Sequence, residues 1–306
     1  MSTTKTNKSL PSNLSKKELF KPKSLPSNIG RQKLSPRRKK SPSPIRKKSK
    51  SPSPKEKYIR KIGPPDNLEK YGLIEELGSG NYGSTYKARN LDRKKGEDKY
   101  YAIKVLYRYT DVYSWLKEII CLIDIMDICT KVGILCYKDS FVFKDEYVIV
   151  TNLLEGYQGL EYFLYNHITM KPYPLSEKDA FYIYQQVVDV KNALTDLCIN
   201  HSDLHFENIM IHPETKKIQV IDLGKCQTPE EEKEEYKGKR LYSSFSDEAR
   251  LLNLRRALYN AVKGYDYINL KHRNNEQDEF FSSIKINPSI QNCTRKEGRR
   301  ELMPKI

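Results

Sequence analysis

The stretch His201 to Asn208 restricts the possible folds of this chain more than any other segment. It carries a His, an Asp two residues later and an Asn five residues after that Asp. An apolar helical pattern precedes it, Ile209 to Ile211 follows it, and Val220 to Gly224 adds a second acid, Asp222. The pattern predicts a loop between a helix and a hairpin, with acids at its ends. Phosphoryl transfer needs such a loop, because one carboxylate orients the acceptor hydroxyl while an amide and another carboxylate hold Mg²⁺.

The segments His201 to Asn208 and Asp222 to Gly224 resemble two motifs of the eukaryotic-type protein kinase superfamily, HRDLxxxN and DFG. The resemblance implies that Asp203 is the catalytic base and that Asn208 and Asp222 bind Mg²⁺. It also implies an α+β, two-lobed protein kinase-like fold, with an antiparallel β N-lobe containing one helix, a mainly helical C-lobe, and ATP between them.

A glycine-rich hairpin is predicted near the start of this region. Gly78, Gly80 and Gly83 have the G-x-G-x-x-G spacing that lets a backbone approach phosphates. The same spacing also opens dinucleotide-binding folds. In those folds a helix follows, whereas Ser84 to Ala88 is β-branched and aromatic and predicts a returning strand.

Lys104 lies in the strand pattern Tyr100 to Leu106 and matches the V-A-I-K strand of kinases, whose Lys holds the α- and β-phosphates. Glu118 lies in a predicted helix, Tyr113 to Asp127, where the family places the partner of that Lys. An ion pair within the helix is the alternative for Glu118.

By the same resemblance, the hairpin Ile134 to Thr151, turning at Lys144-Asp145, leads into the hinge that pairs with adenine, and Thr151 is the gatekeeper. Two helices are predicted next, Leu160 to Ile168 and Ser176 to Cys198, with Ser176 as a helix cap. The ATP-binding residues implied are Leu77, Gly78, Ser79, Gly80, Asn81, Tyr82, Gly83, Ser84, Thr85, Ala102, Lys104, Thr151, Asn152 and Leu154. The catalytic set is Asp203, Lys104, Glu118, Asn208 and His205.

Three departures from the kinase pattern are informative. Ser202 replaces the Arg of HRD, so we expect activity that does not depend on phosphorylation of the activation loop. His205 stands where Ser/Thr kinases usually have a Lys, as in haspin and the aminoglycoside and choline phosphotransferases. No A-P-E motif follows Gly224, and residues 230–235 predict a solvated acidic loop.

A helix is predicted to open at Phe245-Ser246-Asp247. Asp247 matches the buried Asp of the family that accepts hydrogen bonds from the catalytic loop, and a helix cap at Ser246 or Asp247 is an equal alternative. Few residues follow this helix, so a shortened C-terminal lobe is expected.

The first 64 residues carry 20 Lys or Arg against 2 acids, whereas the rest of the chain carries 35 and 37. Rich in Ser and Pro as well, this segment predicts a disordered basic tail. Arg37 to Lys40 and Arg46 to Lys48 could bind nucleic acid or an acidic partner, direct nuclear import, or only solubilise the chain. Five Ser-Pro pairs predict phosphorylation, at Ser35, Ser41, Ser43, Ser51 and Ser53.

The six cysteines show no C-x-x-C spacing, and the start of the chain has no apolar core. We therefore expect reduced thiols in an intracellular protein of the nucleus or cytoplasm, with no membrane span. The cysteines are Cys121, Cys129, Cys136, Cys198, Cys226 and Cys293.

Together these features predict a disordered tail over residues 1–66 and a kinase-like domain over 67–306, with its N-lobe at about 67–152 and C-lobe at about 153–306. The expected function is transfer of the γ-phosphoryl group of Mg·ATP to Ser or Thr of proteins, by a monomer. The alternatives are an atypical or small-molecule phosphotransferase and an inactive kinase-like scaffold. The reduced lobe and the Ser-Pro repeats also resemble kinases of large DNA viruses such as iridoviruses.

Overall fold

The computed structural model describes residues 57–80, 82–107, 111–165, 171–235, 246–265 and 274–288. All of them lie in one unit, Pro54–Ile306. The Ser-Pro pairs and basic clusters of the tail, Asn81 of the glycine hairpin, and the end of the helix predicted over residues 160–168 lie outside the described residues. Within the described ranges, no helix is long and apolar enough to cross a membrane.

A six-stranded antiparallel sheet forms the first lobe, in the order β1-β2-β3-β4-β6-β5. Alternate apolar side chains, among them Leu73, Ile103 and Val148, form a buried cluster. The predicted hairpin turn is confirmed: Lys144 and Asp145 both have positive φ, 49° and 66°, as tight two-residue hairpins require. The strands are β1 (Arg60–Ile62), β2 (Tyr71–Ser79), β3 (Gly83–Asn90), β4 (Tyr100–Leu106), β5 (Tyr137–Phe143) and β6 (Glu146–Asn152).

Strand β1 lies upstream of the predicted start of the folded domain at residue 67. It pairs with β2, and Ile62 is fully buried. The strand was not predicted because Ile59 and Ile62 are surrounded by basic residues. The composition averaged over the first 64 residues therefore indicates a polar tail.

The second lobe is mainly helical and also contains a small antiparallel sheet in the order β7-β8-β9. The long helix α4 packs against α6 and β9, and Ser176 caps it as predicted, because its side chain accepts from the N–H of Asp179. The predicted two-lobed α+β fold is confirmed. The remaining elements are α1 (Val112–Asp124) in the first lobe, then α2 (Cys129–Val132), β7 (Gln158–Gly159), α3 (Leu160–Leu164), α4 (Glu177–Asp196), β8 (Ile209–Ile211), β9 (Ile218–Val220), α5 (Pro229–Glu235), α6 (Asp247–Lys263) and α7 (Asn274–Phe280).

The structure pairs Cys121 with Cys226 and Cys129 with Cys136 as disulfides. The prediction of reduced thiols is therefore wrong for these four residues. Cys129 and Cys136 are seven residues apart and so lack the C-x-x-C spacing. Cys121 and Cys226 are separated by 105 residues, and only the fold brings their Cα atoms to 6.6 Å. The expected intracellular location therefore no longer rests on reduced cysteines.

Candidate active site in the cleft between the lobes

Lys104 is the centre of an ion cluster that joins β4, α1 and the loop after β9. Its Nζ lies 2.9 and 2.8 Å from the two carboxylate oxygens of Glu118 and 3.1 Å from Oδ1 of Asp222. Glu118 therefore pairs across the fold with Lys104, as the kinase resemblance implied.

Burial alone would lower the pKa of Lys104, but the charges of Glu118 and Asp222 outweigh it and raise this pKa above its ordinary value. Lys104 is thus a cation near neutral pH. Gly224 closes the cluster, because a Cβ on it would lie 3.2 Å from Oδ1 of Asp222. A larger residue at the third position of the Asp222 to Gly224 motif would therefore require the Asp222 carboxylate to shift.

Asp203 lies at the other end of the cleft, between two basic side chains. His205 Nε2 is 3.5 Å from its Oδ1, and Lys225 Nζ is 3.0 Å from its Oδ2. Partial burial opposes ionisation, but these two contacts lower the pKa of Asp203 far below its usual range. A carboxylate that stays ionised can accept a hydrogen bond from an incoming hydroxyl.

Asn208 ends the loop that begins at His201 and is held in place by residues of that loop. Its Nδ2 donates to the Asp203 carbonyl at 2.9 Å and lies 3.3 Å from His205 Nε2. Both contacts use the amide nitrogen, so Oδ1 is the atom that can bind a cation.

His201 links the loop that ends at Asn208 to the segment after β9 that carries Asp222. Its ring is fully buried, with Nε2 3.1 Å from the Ile221 carbonyl and Nδ1 accepting from the N–H of Asp203 at 3.3 Å. This pattern requires a neutral ring with its proton on Nε2. Burial lowers the pKa of His201 correspondingly.

We expect the stability of the protein to fall at mildly acidic pH because of His201. His201 takes up a proton at about pH 6.5 in the unfolded chain, whereas burial prevents this in the folded chain. The contribution of neutral His201 to the free energy of unfolding is therefore fully present above about pH 6.5. It is lost as pH falls towards the folded pKa, by at most about 1.4 kcal/mol per pH unit. Urea unfolding at pH 8, 7, 6 and 5 measures this loss. His201→Gln, which keeps a donor for Ile221, should flatten the curve. Parallel curves for both proteins would contradict the assignment.

Ser202 and Asp222 both hold strained backbone conformations. Their φ angles are 61° and 59°, in the left-handed region that costs a non-glycine residue about 1 kcal/mol or more. Such strain persists only where surrounding contacts fix it. Both residues belong to the predicted motifs, which is where a preorganised site would store strain.

Asp247 at the start of α6 holds the strained loop. It is buried and accepts from the N–H groups of His201 at 2.7 Å and Ser202 at 3.0 Å. Ser246 separately caps the helix by accepting from the N–H of Ala249. Both alternatives from the sequence are therefore realised, each by a different residue.

The predicted solvated acidic loop is instead helix α5, and the prediction is wrong. Glu232 in it is 3% exposed and accepts from Asn200 Nδ2 at 2.7 Å and Ser202 Oγ at 3.1 Å. Thr228 and Glu231 cap the helix reciprocally. This T-x-x-E capping box, with Pro229 at the first helical position, was a signal that could have located the helix.

Two adjoining cavities occupy the cleft and share Lys104, Glu118 and Asp222. The inner cavity, of about 360 Å³, is mostly apolar and is also lined by the predicted residues Leu77, Gly78, Thr85, Ala102, Thr151, Asn152, Leu154 and Asn208. Sequence reasoning missed the apolar residues Leu135, Ile149, Leu153, Tyr157, Met210 and Ile221 of its lining. The outer cavity, of about 290 Å³, contains Tyr82 and Asp203.

The glycines of the hairpin serve different purposes. A Cβ on Gly78 or Gly80 would meet open space, whereas one on Gly83 would come 2.3 Å from the Val105 carbonyl. The packing of β3 on β4 therefore requires a glycine at position 83. Ser79, Gly80, Gly83, Ser84 and His205 do not line either cavity.

A comparison with profiles of known families identifies the family of this chain. The profile of the protein kinase domain matches residues 71–245, which is more than half of the chain. The chain belongs to the protein kinase family. The matched range includes the glycine hairpin, the Lys104 cluster and the catalytic loop of this kinase domain, but it stops before Ser246 and Asp247.

Kinases from several eukaryotes are similar to this kinase domain. The calcium/calmodulin-dependent protein kinase type II of Schizosaccharomyces pombe is 32% identical over 147 residues, 48% of this chain and 27% of that protein. The serine/threonine-protein kinase dst2 of Dictyostelium discoideum is 26% identical over 163 residues, 53% of this chain and 13% of that protein. The chain thus matches less than a third of the length of either relative. A solved kinase-domain structure aligns with 52% of both chains at 19% identity and a TM-score of 0.42.

Proposed function

We propose that this kinase domain transfers the γ-phosphoryl group of ATP to Ser or Thr hydroxyls of proteins. The observation that carries the proposal is the placement of Lys104, Asp203, Asn208 and Asp222 around one cleft. In this proposal the apolar inner cavity takes the adenine, Lys104 contacts the α- and β-phosphates, and Asp203 orients the acceptor hydroxyl. The names of the Ser/Thr kinase relatives support the choice of acceptor.

The donor set fits Mg²⁺. Among the described residues no three His, Cys, Asp or Glu form a metal cluster. However, Mg²⁺ is usually bound by one or two protein oxygens together with waters and substrate phosphates. Asp222 and Asn208 line the same cavity, and a carboxylate and an amide oxygen are hard donors. When bound, the cation would neutralise charge on the β- and γ-phosphates.

A small-molecule phosphotransferase is the second candidate, because position 205, whose side chain contacts Asp203, holds a His where Ser/Thr kinases usually have a Lys. The separating experiment incubates the purified protein and γ-labelled ATP with histone, casein and a panel of hydroxyl metabolites. We expect label on Ser or Thr of a protein acceptor, identified after acid hydrolysis. Label on a metabolite and on no protein would overturn the proposal in favour of the second candidate. No label on any acceptor would favour an inactive scaffold.

Glu232 supports the expectation that this kinase does not need phosphorylation of its activation loop. It is a buried acid that already bonds Ser202, the residue in place of the HRD arginine. We therefore expect the same kcat before and after phosphatase treatment. A large activation by an upstream kinase acting between Leu223 and Ser246 would contradict this.

Glu232→Ala should lower both kcat and the free energy of unfolding. It leaves the buried side chains of Asn200 and Ser202 without their acceptor, at a cost of about 1 to 3 kcal/mol. Chemical denaturation measures the loss. Glu231→Ala, which removes only a contact at the helix cap, is the matched control and should lose about 1 kcal/mol or less.

For the whole chain we propose a kinase domain over residues 67–306, which β1 extends upstream. A basic tail with sites for proline-directed kinases precedes this domain. Binding of a nucleic acid or an acidic partner by the tail, a monomeric state, and a location in the nucleus or cytoplasm are part of this proposal. The resemblance to kinases of large DNA viruses stays a prediction.

A further inference from the structure

Lys225 is a cation at the acceptor end of the cleft that sequence reasoning did not single out. Its Nζ lies 3.0 Å from Oδ2 of Asp203, and its side chain is about half exposed, at 52%, against 16% for Asp203. Lys225 also lines the outer cavity with Lys104 and Asp222. It can therefore reach both Asp203 and a group that enters this cavity.

The backbone around Lys225 is fixed on both sides. The N–H of Cys226 donates to the Leu223 carbonyl at 3.0 Å, and Cys226 is bonded to Cys121 of α1. Gln227 and Asn200 exchange two backbone hydrogen bonds, at 2.8 and 3.0 Å. The start of the Lys225 side chain is thus held beside the catalytic loop, while its charged end remains partly in solvent.

A phosphoryl group that enters the outer cavity would lie among carboxylates and therefore needs a cation that can turn towards it. Its lining holds the carboxylates of Glu118, Asp203 and Asp222, and Lys104 is already bonded to two of them. A phosphoryl group in transfer adds negative charge on its equatorial oxygens. Lys117 also lines the cavity but lies 3.4 Å from the amide oxygen of Gln227, so among the cations described there Lys225 is the one in contact with Asp203.

We propose that Lys225 is a catalytic residue whose ammonium group contacts the γ-phosphoryl group, an inference that rests on the proposed function. The cationic contact then comes from the turn after Asp222, and not from position 205, where Ser/Thr kinases usually have a Lys. In the transfer the acceptor oxygen forms a bond to the γ-phosphorus, and the bond from that phosphorus to the bridging oxygen of ADP breaks. The hydroxyl proton passes to Asp203, and Lys225 exchanges its contact with Asp203 for phosphoryl oxygens without any covalent change.

The test compares Lys225→Met, Lys225→Arg and the double variant His205→Lys with Lys225→Met. Loss of one preorganised contact of this kind lowers kcat by about 100-fold or more. We expect that loss for Lys225→Met, with unchanged ATP affinity and melting temperature, and substantial activity for Lys225→Arg. The double variant, which moves the Lys to position 205, should recover at least part of kcat. Lys138→Met, which removes another Lys paired with an Asp, Asp98, is the matched control.

The outcomes separate this inference from the proposed function. An inactive wild-type protein would overturn the proposed function itself. An active wild type with full kcat in Lys225→Met would overturn only the role of Lys225. A fall in ATP affinity or in melting temperature together with kcat would show that Lys225 has a structural role. A double variant no more active than Lys225→Met would contradict the proposal that Lys225 replaces the Lys usually found at position 205.

Discussion

Replacing Lys104 by Met should lower the free energy of unfolding by about 3 kcal/mol or more, besides removing activity. The change leaves the carboxyl group of Glu118, which is 8% exposed, without its partner, and removal of one member of a buried ion pair typically costs about 3 to 5 kcal/mol. Burial raises the pKa of Glu118 against the opposing charge of Lys104. Without Lys104 we therefore expect Glu118 to take up a proton, so that the loss is smaller at pH 5 than at pH 8.

Chemical denaturation of a double-mutant cycle measures this effect. The double variant Lys104→Met with Glu118→Leu should recover most of the stability, since apolar replacement of both partners is often neutral, but it should not recover activity. Lys61→Met is the matched control. Its pair with Glu69 is exposed on both sides, where such pairs contribute about 0 to 1 kcal/mol. A single variant as stable as the control would contradict the role given to the Lys104 cluster.

Asp247→Ala should be the second severe change, although Asp247 lies outside both cavities. It leaves the N–H groups of His201 and Ser202 without their acceptor, and each buried orphan group costs about 1 to 3 kcal/mol. The strained φ of Ser202 loses its restraint at the same time. We therefore expect a loss of several kcal/mol in unfolding free energy and a parallel loss of kcat.

The size of this loss should depend on pH. Burial raises the pKa of Asp247 to about 6, so its contribution to stability is greatest below its unfolded pKa of about 3.9 and is lost as pH rises through the folded value. Unfolding at pH 5 and pH 8 measures the difference, which should be larger at pH 5. Ser246→Ala, which removes only the helix cap, should cost about 1 kcal/mol. Equal losses for the two variants would contradict the role of Asp247.

The features that the sequence predicted are those encoded locally. The turn at Lys144 and Asp145, the Ser176 cap and the strand that carries Lys104 depend on neighbouring residues, and each lies where expected. The partnership of Lys104 with Glu118 is a tertiary contact, and it was predicted only through the resemblance to kinases.

Most of the features that the sequence missed depend on contacts between distant segments, although helix α5 had a local signal in its capping box. Lys225 follows a recognised motif, but nothing local indicates that its ammonium reaches Asp203, 22 positions earlier. Glu232 lies in a run of acidic residues, a composition that predicts a solvated segment. Its burial results from the packing of α5 against Asn200 and Ser202. The disulfide of Cys121 with Cys226 likewise required the fold.

The most direct test of the account is transfer of label from γ-labelled ATP to a protein acceptor by the wild type and by Asp203→Ala, with ATP affinity measured for both. We expect the wild type to label Ser or Thr, and Asp203→Ala to bind ATP equally well while transferring label at least about 1,000-fold more slowly, because the group that orients the hydroxyl is gone. ATP consumption and labelling that are unchanged in Asp203→Ala would contradict the central claim.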